Sequence, residues 1–318
     1  MSKGVNLVEI TERFPDAETA AEYLESLRWP DGPVCPHCGH EKVYRIKATR
    51  DRRRLWKCAG CRKPFTVTIG TIFEASHIPL NKWLIAFHLL CASKKGMSAL
   101  QLSRMLGITQ KSAWFMAHRI RYAMTQPAFA SKLSGVVEAD ETFIGGKPRA
   151  GQVRNRQEAA AWRDRKVRVV SLVQRDGDVR SFAMPRAVAN ITEENVGDVL
   201  RTHVDPGTRL MTDGAYRFRR VGREFPVHDI VDHSKGEYAR GDVTTNTVEG
   251  YFGLLKRGLN GSYHHVSEEH LHRYLAEFDF RYNRRKVTDG ARTEAALAMT
   301  EGKRLTWADS SSPRALSG

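Results

Sequence analysis

Three acidic residues far apart in the chain, Asp140, Asp213 and Glu249, carry the chemistry that this sequence could do. Asp140 lies in SGVVEADETFIGG, an apolar and β-branched run that reads as a buried strand. Asp213 closes a second such run, TRLMTD, and Gly214 follows it directly. Glu249 lies in TTNTVEGYFGLLKRGL, where Val248, Phe252, Leu255 and Leu259 fall at three- and four-residue steps, the spacing of an amphipathic helix. Two strands and one helix therefore each offer a carboxylate. A carboxylate left unpaired inside an apolar strand is costly, which separates Asp140 from an ordinary surface acid. Hard oxygen ligands of this kind suit Mg²⁺ or Mn²⁺, and two such ions about 4 Å apart can activate a water or a 3′-hydroxyl and stabilise the leaving oxygen in a phosphoryl displacement. Neighbouring groups compete for the same roles. Glu138 would share the strand face of Asp140, Glu141 would point to the other face, and Asn246 stands one helical turn before Glu249. Glu249 is preferred over Asn246 because a carboxylate neutralises a divalent cation and a carboxamide does not.

Four of the five cysteines form a second constellation, CPHC at Cys35 and Cys38 and CAGC at Cys58 and Cys61. Each pair puts two thiolates on one tight turn, and two such turns complete the tetrahedral shell of a closed, structural zinc site. Disulfides are the competing reading, but a chain otherwise poor in cysteine and without a secretion signal suits a reducing compartment. His37 and His40 read as exposed residues of the turns, and Cys91, in WLIAFHLLC, as core. Glu41 to Phe65 holds ten Lys or Arg against two acids, including Arg50, Arg52, Arg53 and Arg54, a block suited to phosphates.

Beyond the cysteines, KWLIAFHLLCASKKGMSALQLSRMLGITQKSAWFMAHRIRYAM reads as three helices whose second half is a helix-turn-helix. Ser98 to Leu106 gives one helix, Gly107 the turn, Thr109 an N-cap, and Gln110 to Met124 the second helix. In that motif Gln110, Lys111 and Ser112 would face bases in the major groove, and Arg119 and Arg121 would meet the backbone.

The segments ADETFIGGK, LMTDGAYRF and NTVEGYFGLLKRGLNGSYHHVSEEHLHRYLAEFDFRYNRR resemble the DDE transposases of bacterial insertion sequences, in the group with an amino-terminal zinc ribbon before a ribonuclease-H-like domain. The resemblance covers nearly the whole chain, and the 35 residues between Asp213 and Glu249 suit it. It favours Asp140 over Glu138 and Glu141. Lys256, two helical turns after Glu249, matches the basic residue that follows the catalytic glutamate in such enzymes, and with Arg257 it would hold a DNA phosphate. Some relatives use Asn as the third ligand, which keeps Asn246 in play, and His264 matches a recurrent position. The resemblance implies binding of terminal inverted repeats, then strand cleavage and strand transfer with two Mg²⁺ or Mn²⁺ ions. It further implies double-stranded DNA as partner and a homo-oligomer on that DNA. A zinc-ribbon regulator with an inactive catalytic domain and a non-transposing nuclease are the other readings.

Composition agrees with a nucleic-acid partner. The 318 residues carry 51 Lys plus Arg against 36 Asp plus Glu, a formal net charge of +15. No apolar segment approaches the ~20 residues of a spanning helix, and MSKGVNLVEITERF is not a secretory signal, so a cytoplasmic, nucleoid-associated protein away from membranes is expected. The expected fold is multidomain α+β and α/β. An N-terminal helix occupies 1–30, with Phe14 to Leu27 amphipathic, followed by a zinc ribbon at 31–70 and a helix-turn-helix module at 78–128. The catalytic domain spans 132–290, with a tail at 291–318 that ends disordered. Residues 146–166 read as a mobile basic insertion without apolar period, in which Lys147 and Arg149 would clamp DNA. KVRVVSLVQ and VRSFAMPRAV flank the turn at Asp176 and Gly177 as a hairpin, Thr192 opens a helix, and TRLMTD and DIVDH add two strands. With the resemblance, this is a mixed five-stranded sheet flanked by helices. A last helix, His270 to Arg285, would bury Tyr274, Phe278 and Tyr282 and expose Arg281, Arg284 and Arg285 as a basic edge.

Overall fold

A computed structural model describes residues 6–46, 55–126, 131–146, 151–184 and 192–311. Arg50, Arg52, Arg53, Arg54, Lys147 and Arg149 lie outside the described residues, as does the end of the chain. The chain divides into two compact units, residues 1–125 with 284–318, and residues 126–283.

The first unit opens with two helices, α1 (Leu7–Arg13) and α2 (Ala17–Arg28). Asp16 caps α2 by accepting from the Thr19 amide at 2.9 Å, directly after Pro15, so the expected single helix from Phe14 starts three residues later. Three short antiparallel strands follow in the order β1 (Val43–Arg45), β2 (Trp56–Cys58), β3 (Pro64–Phe65). α3 (Leu80–Ala92) is apolar on most of its circumference and buries Trp83, Leu84, Phe87 and Leu90. The helix-turn-helix forms from α4 (Ala99–Leu106) and α5 (Gln110–Ala123). Gly107 ends α4 in the left-handed region at φ 59°, which a residue without Cβ adopts freely, and Thr109 Oγ1 accepts from the Ser112 amide at 3.2 Å to start α5.

The second unit is built on β4 (Val136–Ile144), α6 (Arg156–Asp164), β5 (Val167–Gln174), β6 (Val179–Met184), α7 (Glu193–His203), β7 (Arg209–Asp213), α8 (Tyr216–Gly222), β8 (Val227–Val231), α9 (Asn246–Gly258) and α10 (Glu268–Asn283). The five strands order as β6-β5-β4-β7-β8. β4, β5 and β6 pair antiparallel, whereas β4 with β7 and β7 with β8 pair parallel. Alternation along the strands sends Val137, Ala139, Val170 and Leu172 toward Val196, Leu200 and Phe218 of α7 and α8. Val167, Val169 and Val173 go to the other face, under Tyr251, Phe252, Leu255 and Phe278 of α9 and α10. This is the mixed five-stranded sheet flanked by helices that was expected.

Three expectations need correction. The insertion is not featureless: Arg156–Asp164 is helical, its Gln-Glu-Ala-Ala-Ala core being strong helix formers, and Trp162 Nε1 donates to Gly146 O at 3.1 Å. Arg281 is no surface edge but is buried and paired with Glu277 one turn earlier, because α10 is covered on that side. The tail from 291 folds into α11 (Asp289–Ala298), which started before it, and α12 (Trp307–Ser311). Arg292 holds α11 down by donating to Cys91 O at 2.9 Å, Arg284 O at 3.0 Å and Val287 O at 3.1 Å. Among the described residues no helix is long and apolar enough to cross a membrane.

Candidate active site

β4 and β7 run parallel in a register that pairs Ala139 with Thr212. The next residue on each strand is an aspartate, so Asp140 and Asp213 stand on neighbouring strands about 4.8 Å apart in the sheet. Asp140 Oδ1 accepts from the Glu141 amide at 2.6 Å, and Asp213 Oδ1 from the Ala215 amide at 3.2 Å. The third acid comes from the first turn of α9, where Glu249 Oε1 accepts from Thr245 Oγ1 at 2.9 Å and lies 3.3 Å from His233 Nε2.

Burial and then the charge of Asp213 push the Asp140 carboxyl up to about 7, against the pull of the Glu141 amide, with Glu249 and Glu141 adding to the rise. Burial also raises Asp213, while the Ala215 amide, His233 and Arg217 restrain it and Glu249 adds a little. The three acids thus sit in one another's field. They do not form a closed cage, since among the described residues the one group whose ligand atoms all lie within 4.8 Å of one another is made of cysteines. Asn246 is the exposed first residue of α9, its amide tied to Thr244 Oγ1 at 3.1 Å. Lys256 and Arg257 are exposed farther along α9, the Lys256 ammonium 6.0 Å from the Phe252 ring centre. His264 is exposed beyond a π-helical turn, Leu259–Tyr263, that continues α9.

The two competing glutamates have other work. Glu138 is fully buried and accepts from Arg175 Nε at 2.7 Å, from the Thr247 amide at 2.7 Å and hydroxyl at 2.8 Å, and from the Val248 amide at 3.0 Å. A strand carboxylate therefore satisfies the free amides at the start of α9, the helix that carries Glu249. Arg175 completes the clamp by donating to Thr244 O at 3.1 Å. Glu141 pairs with Arg217 of α8. Glu138→Ala would strand the Arg175 guanidinium and two helix amides, and urea unfolding of the second unit is expected to weaken by roughly 2–4 kcal/mol. A change within 1 kcal/mol would remove the clamp from this account. Sequence reasoning missed Arg175, Thr247, His233 and Arg217, since nothing in their spacing signals contacts made across the fold.

In the first unit Cys35, Cys38, Cys58 and Cys61 converge, with sulfur pairs 3.7 Å apart for Cys35 and Cys61 and 3.6 Å for Cys38 and Cys58. Tetrahedral zinc with Zn–S bonds of about 2.3 Å separates its sulfurs by about 3.8 Å, so the donors fit a structural zinc ion. Burial opposes ionisation of Cys58, but the Cys61 amide, the Cys38 thiol, the Gly60 amide and the Cys35 thiol outweigh it and bring that thiol down to about 6. At Cys61 the Lys63 amide is outweighed, and burial and the Cys38, Cys35 and Cys58 thiols push the thiol up to about 11, so it is a bound cation that would let all four ionise together. His37 and His40 lie outside this sulfur cluster. Gln110 and Lys111 are exposed at the start of α5, with Lys111 Nζ 4.6 Å from the Trp307 ring centre, and Ser112 is half-buried against the Thr109 cap. Arg119, expected at a DNA backbone, is buried and donates to Glu74 O, and Arg121, on the opposite side of the helix, is buried as well, because α5 from Met116 to Ala123 is covered on nearly its whole circumference.

Residues 132–283 match the model of the ISXO2-like transposase domain, and residues 15–64 that of a transposase zinc-ribbon domain. An uncharacterised protein in the transposable element ISH50 of Halobacterium salinarum is 29% identical over 277 residues, covering 84% of this chain and 91% of that one. The crystal structure of the Mos1 strand transfer complex matches over 66% of this chain and 77% of that one at 12% identity and a TM-score of 0.24, too slight a likeness to bear on fold or activity. A Cys₄ ribbon and a five-stranded mixed sheet, each within its own matched segment, place the chain among the insertion-sequence transposases with an amino-terminal zinc ribbon.

Proposed function

We propose that the protein is a DNA transposase that binds the terminal inverted repeats of its element and catalyses strand cleavage and strand transfer. The observation that carries this reading is the meeting of Asp140 and Asp213 on parallel neighbouring strands, in the field of Glu249. The charges that bear on Asp140 are all negative, an arrangement that bound cations relieve. Asp140, Asp213 and Glu249 would hold two Mg²⁺ or Mn²⁺ ions, which when bound supply activation of the attacking oxygen and neutralisation of the leaving one. Lys256, on the face of α9 that carries Glu249, would hold a phosphate of the reacting strand, with Arg257 beside it. Glu138 and Arg175 fix the start of that helix, so the third carboxylate stays aimed at the strand pair. The ribbon and Gln110 and Lys111 of α5 supply affinity and register on duplex DNA. The protein acts in the cytoplasm, on nucleoid DNA, as a homo-oligomer that joins two element ends.

The test is incubation of the zinc-loaded protein with duplexes carrying the DNA that flanks its gene, together with a circular target and Mg²⁺ or Mn²⁺. Nicks at the element ends followed by joined products are expected. Binding without cutting would replace this reading with a regulator, and cutting without joining with a nuclease.

A further inference from the structure

The second unit contains a cavity of about 460 Å³ for which the cleavage chemistry has no use. Its wall includes Trp162 and Arg165 at the end of α6, Lys166, Asn260 and His264 after α9, and Ser267 before α10. Two cations and one indole thus face the space, with Glu268 as the acidic side chain in the wall. The indole is partly buried and its orientation is set by the 3.1 Å hydrogen bond to Gly146 O, while the Arg165 guanidinium lies 5.5 Å from its centre. Gly145 lets Lys166 lie against the strand end, because a Cβ there would meet Lys166 Cγ at 3.0 Å.

The backbone around the cavity is unusual in two places. α9 runs into a π-helical turn over Leu259–Tyr263, which presents Asn260 to the space. His264 then takes φ 59° and ψ −52°, at the centre of a γ-turn closed by the His265 amide donating to Tyr263 O at 2.6 Å. A non-glycine residue in that conformation is strained, and strain of this kind gathers at binding sites. The cavity's size is that of a small-molecule pocket, and an aromatic ring with nearby cations is how proteins hold single nucleotides.

Position along the sheet adds a further constraint. Ile144, which lines the cavity, is four residues beyond Asp140 on β4, about 13 Å along the strand. Asn260 lies eleven residues beyond Glu249, past Lys256, on the helix that packs against the same sheet. About 13 Å corresponds to roughly four base steps of a DNA strand. We propose that this cavity receives one unpaired nucleotide of the DNA strand held at the carboxylates, a few positions from the reacting phosphate. Its base lies against Trp162 and its phosphate meets Arg165 and Lys166. The inference rests on the reading of the second unit as a strand-transfer domain.

The test uses full-length, zinc-loaded protein and two duplexes of equal length, one blunt and one with a short single-stranded extension carrying 5-iodo-2′-deoxyuridine. Ultraviolet cross-linking followed by mass spectrometry is expected to attach the extension to Trp162 or His264. Trp162→Ala should weaken binding of the extended duplex about tenfold and leave the blunt duplex within about twofold, and Trp162→Phe should restore most of the loss. Cross-links confined to other regions, or equal weakening on both duplexes, would overturn the proposal. So would complete displacement of the strand by free thymidine monophosphate at comparable concentration, which would mark a pocket for free nucleotides. Cleavage is scored separately: cutting without a cavity cross-link sinks the pocket alone, whereas a cross-link in a protein that never cuts sinks the strand-transfer reading and leaves the pocket standing.

Discussion

Asp140→Asn should abolish strand cleavage, by about 10³-fold or more, and at the same time stabilise the metal-free protein above neutral pH. The first effect follows from the several kcal/mol of transition-state stabilisation that metal ions held by carboxylates supply. The second follows from the carboxyl's elevated pKa of about 7, caused by burial and by Asp213. Below the unfolded value of about 3.9 the group is protonated in both states and costs nothing. As pH rises from there through about 7 the unfolded chain releases its proton more readily than the folded one, so stability falls, and above about 7 the loss is complete. The group is partly exposed, so the loss is roughly 2–4 kcal/mol rather than more. Asparagine removes the titration. Hydrogen exchange of β4 and β7 amides between pH 4 and 8 should show opening that grows easier with pH in the wild type and stays level in the variant, with Mg²⁺ protecting only the wild type. DNA binding should persist in the variant. Retained cleavage, or a pH response identical to the wild type, would take Asp140 out of the proposed site.

Zinc removal has the other large effect. Three strands of two or three residues cannot hold themselves together, and a structural Cys₄ ion contributes on the order of 10 kcal/mol to folding in small zinc domains. Cys58→Ser should therefore lose one zinc per chain, unfold the ribbon and weaken duplex binding most at low salt, where basic side chains near phosphates matter most. Helices α3, α4 and α5 should survive, since their core of Trp83, Phe87, Leu102 and Ile120 does not depend on the metal. Cys91→Ser is the control: its thiol sits in the core, 3.9 Å from Arg292 O, and zinc content should not change. A Cys58→Ser protein that keeps its zinc and its affinity would void the ligand set.

Much of this was readable residue by residue. The Thr109 cap, the helix opened by Thr192, the turn at Gly107, the hairpin at Asp176 and Gly177 and the paired Cys-x-x-Cys turns all rest on contacts within about five residues, where spacing alone fixes geometry. The errors came where burial is decided by distant partners. Arg119 and Arg281 look like surface cations in any window of sequence, yet Glu74 O and Glu277 receive them inside the fold. Residues 291–298 look like a tail until Cys91 O and α3 provide something to fold against. The insertion's helix was missed because apolar period was the criterion, and a mostly exposed helix with three consecutive alanines among Arg, Gln and Glu does not need one.

Sequence by itself determined most of the parts: the strands and helices of the sheet and of the helix-turn-helix, that four thiols form one set, and that two strands and one helix each offer an acid. Tertiary structure alone decided that β7 lies beside β4 and parallel to it, and this puts Asp140 next to Asp213 across 72 intervening residues. It also decided that Glu138, a plausible rival ligand two residues from Asp140, clamps the helix bearing Glu249. Caps, turns and periodicities are set by neighbours along the chain, but strand order is set by which arrangement buries the most apolar surface on both faces of the sheet at once, a quantity no local window contains.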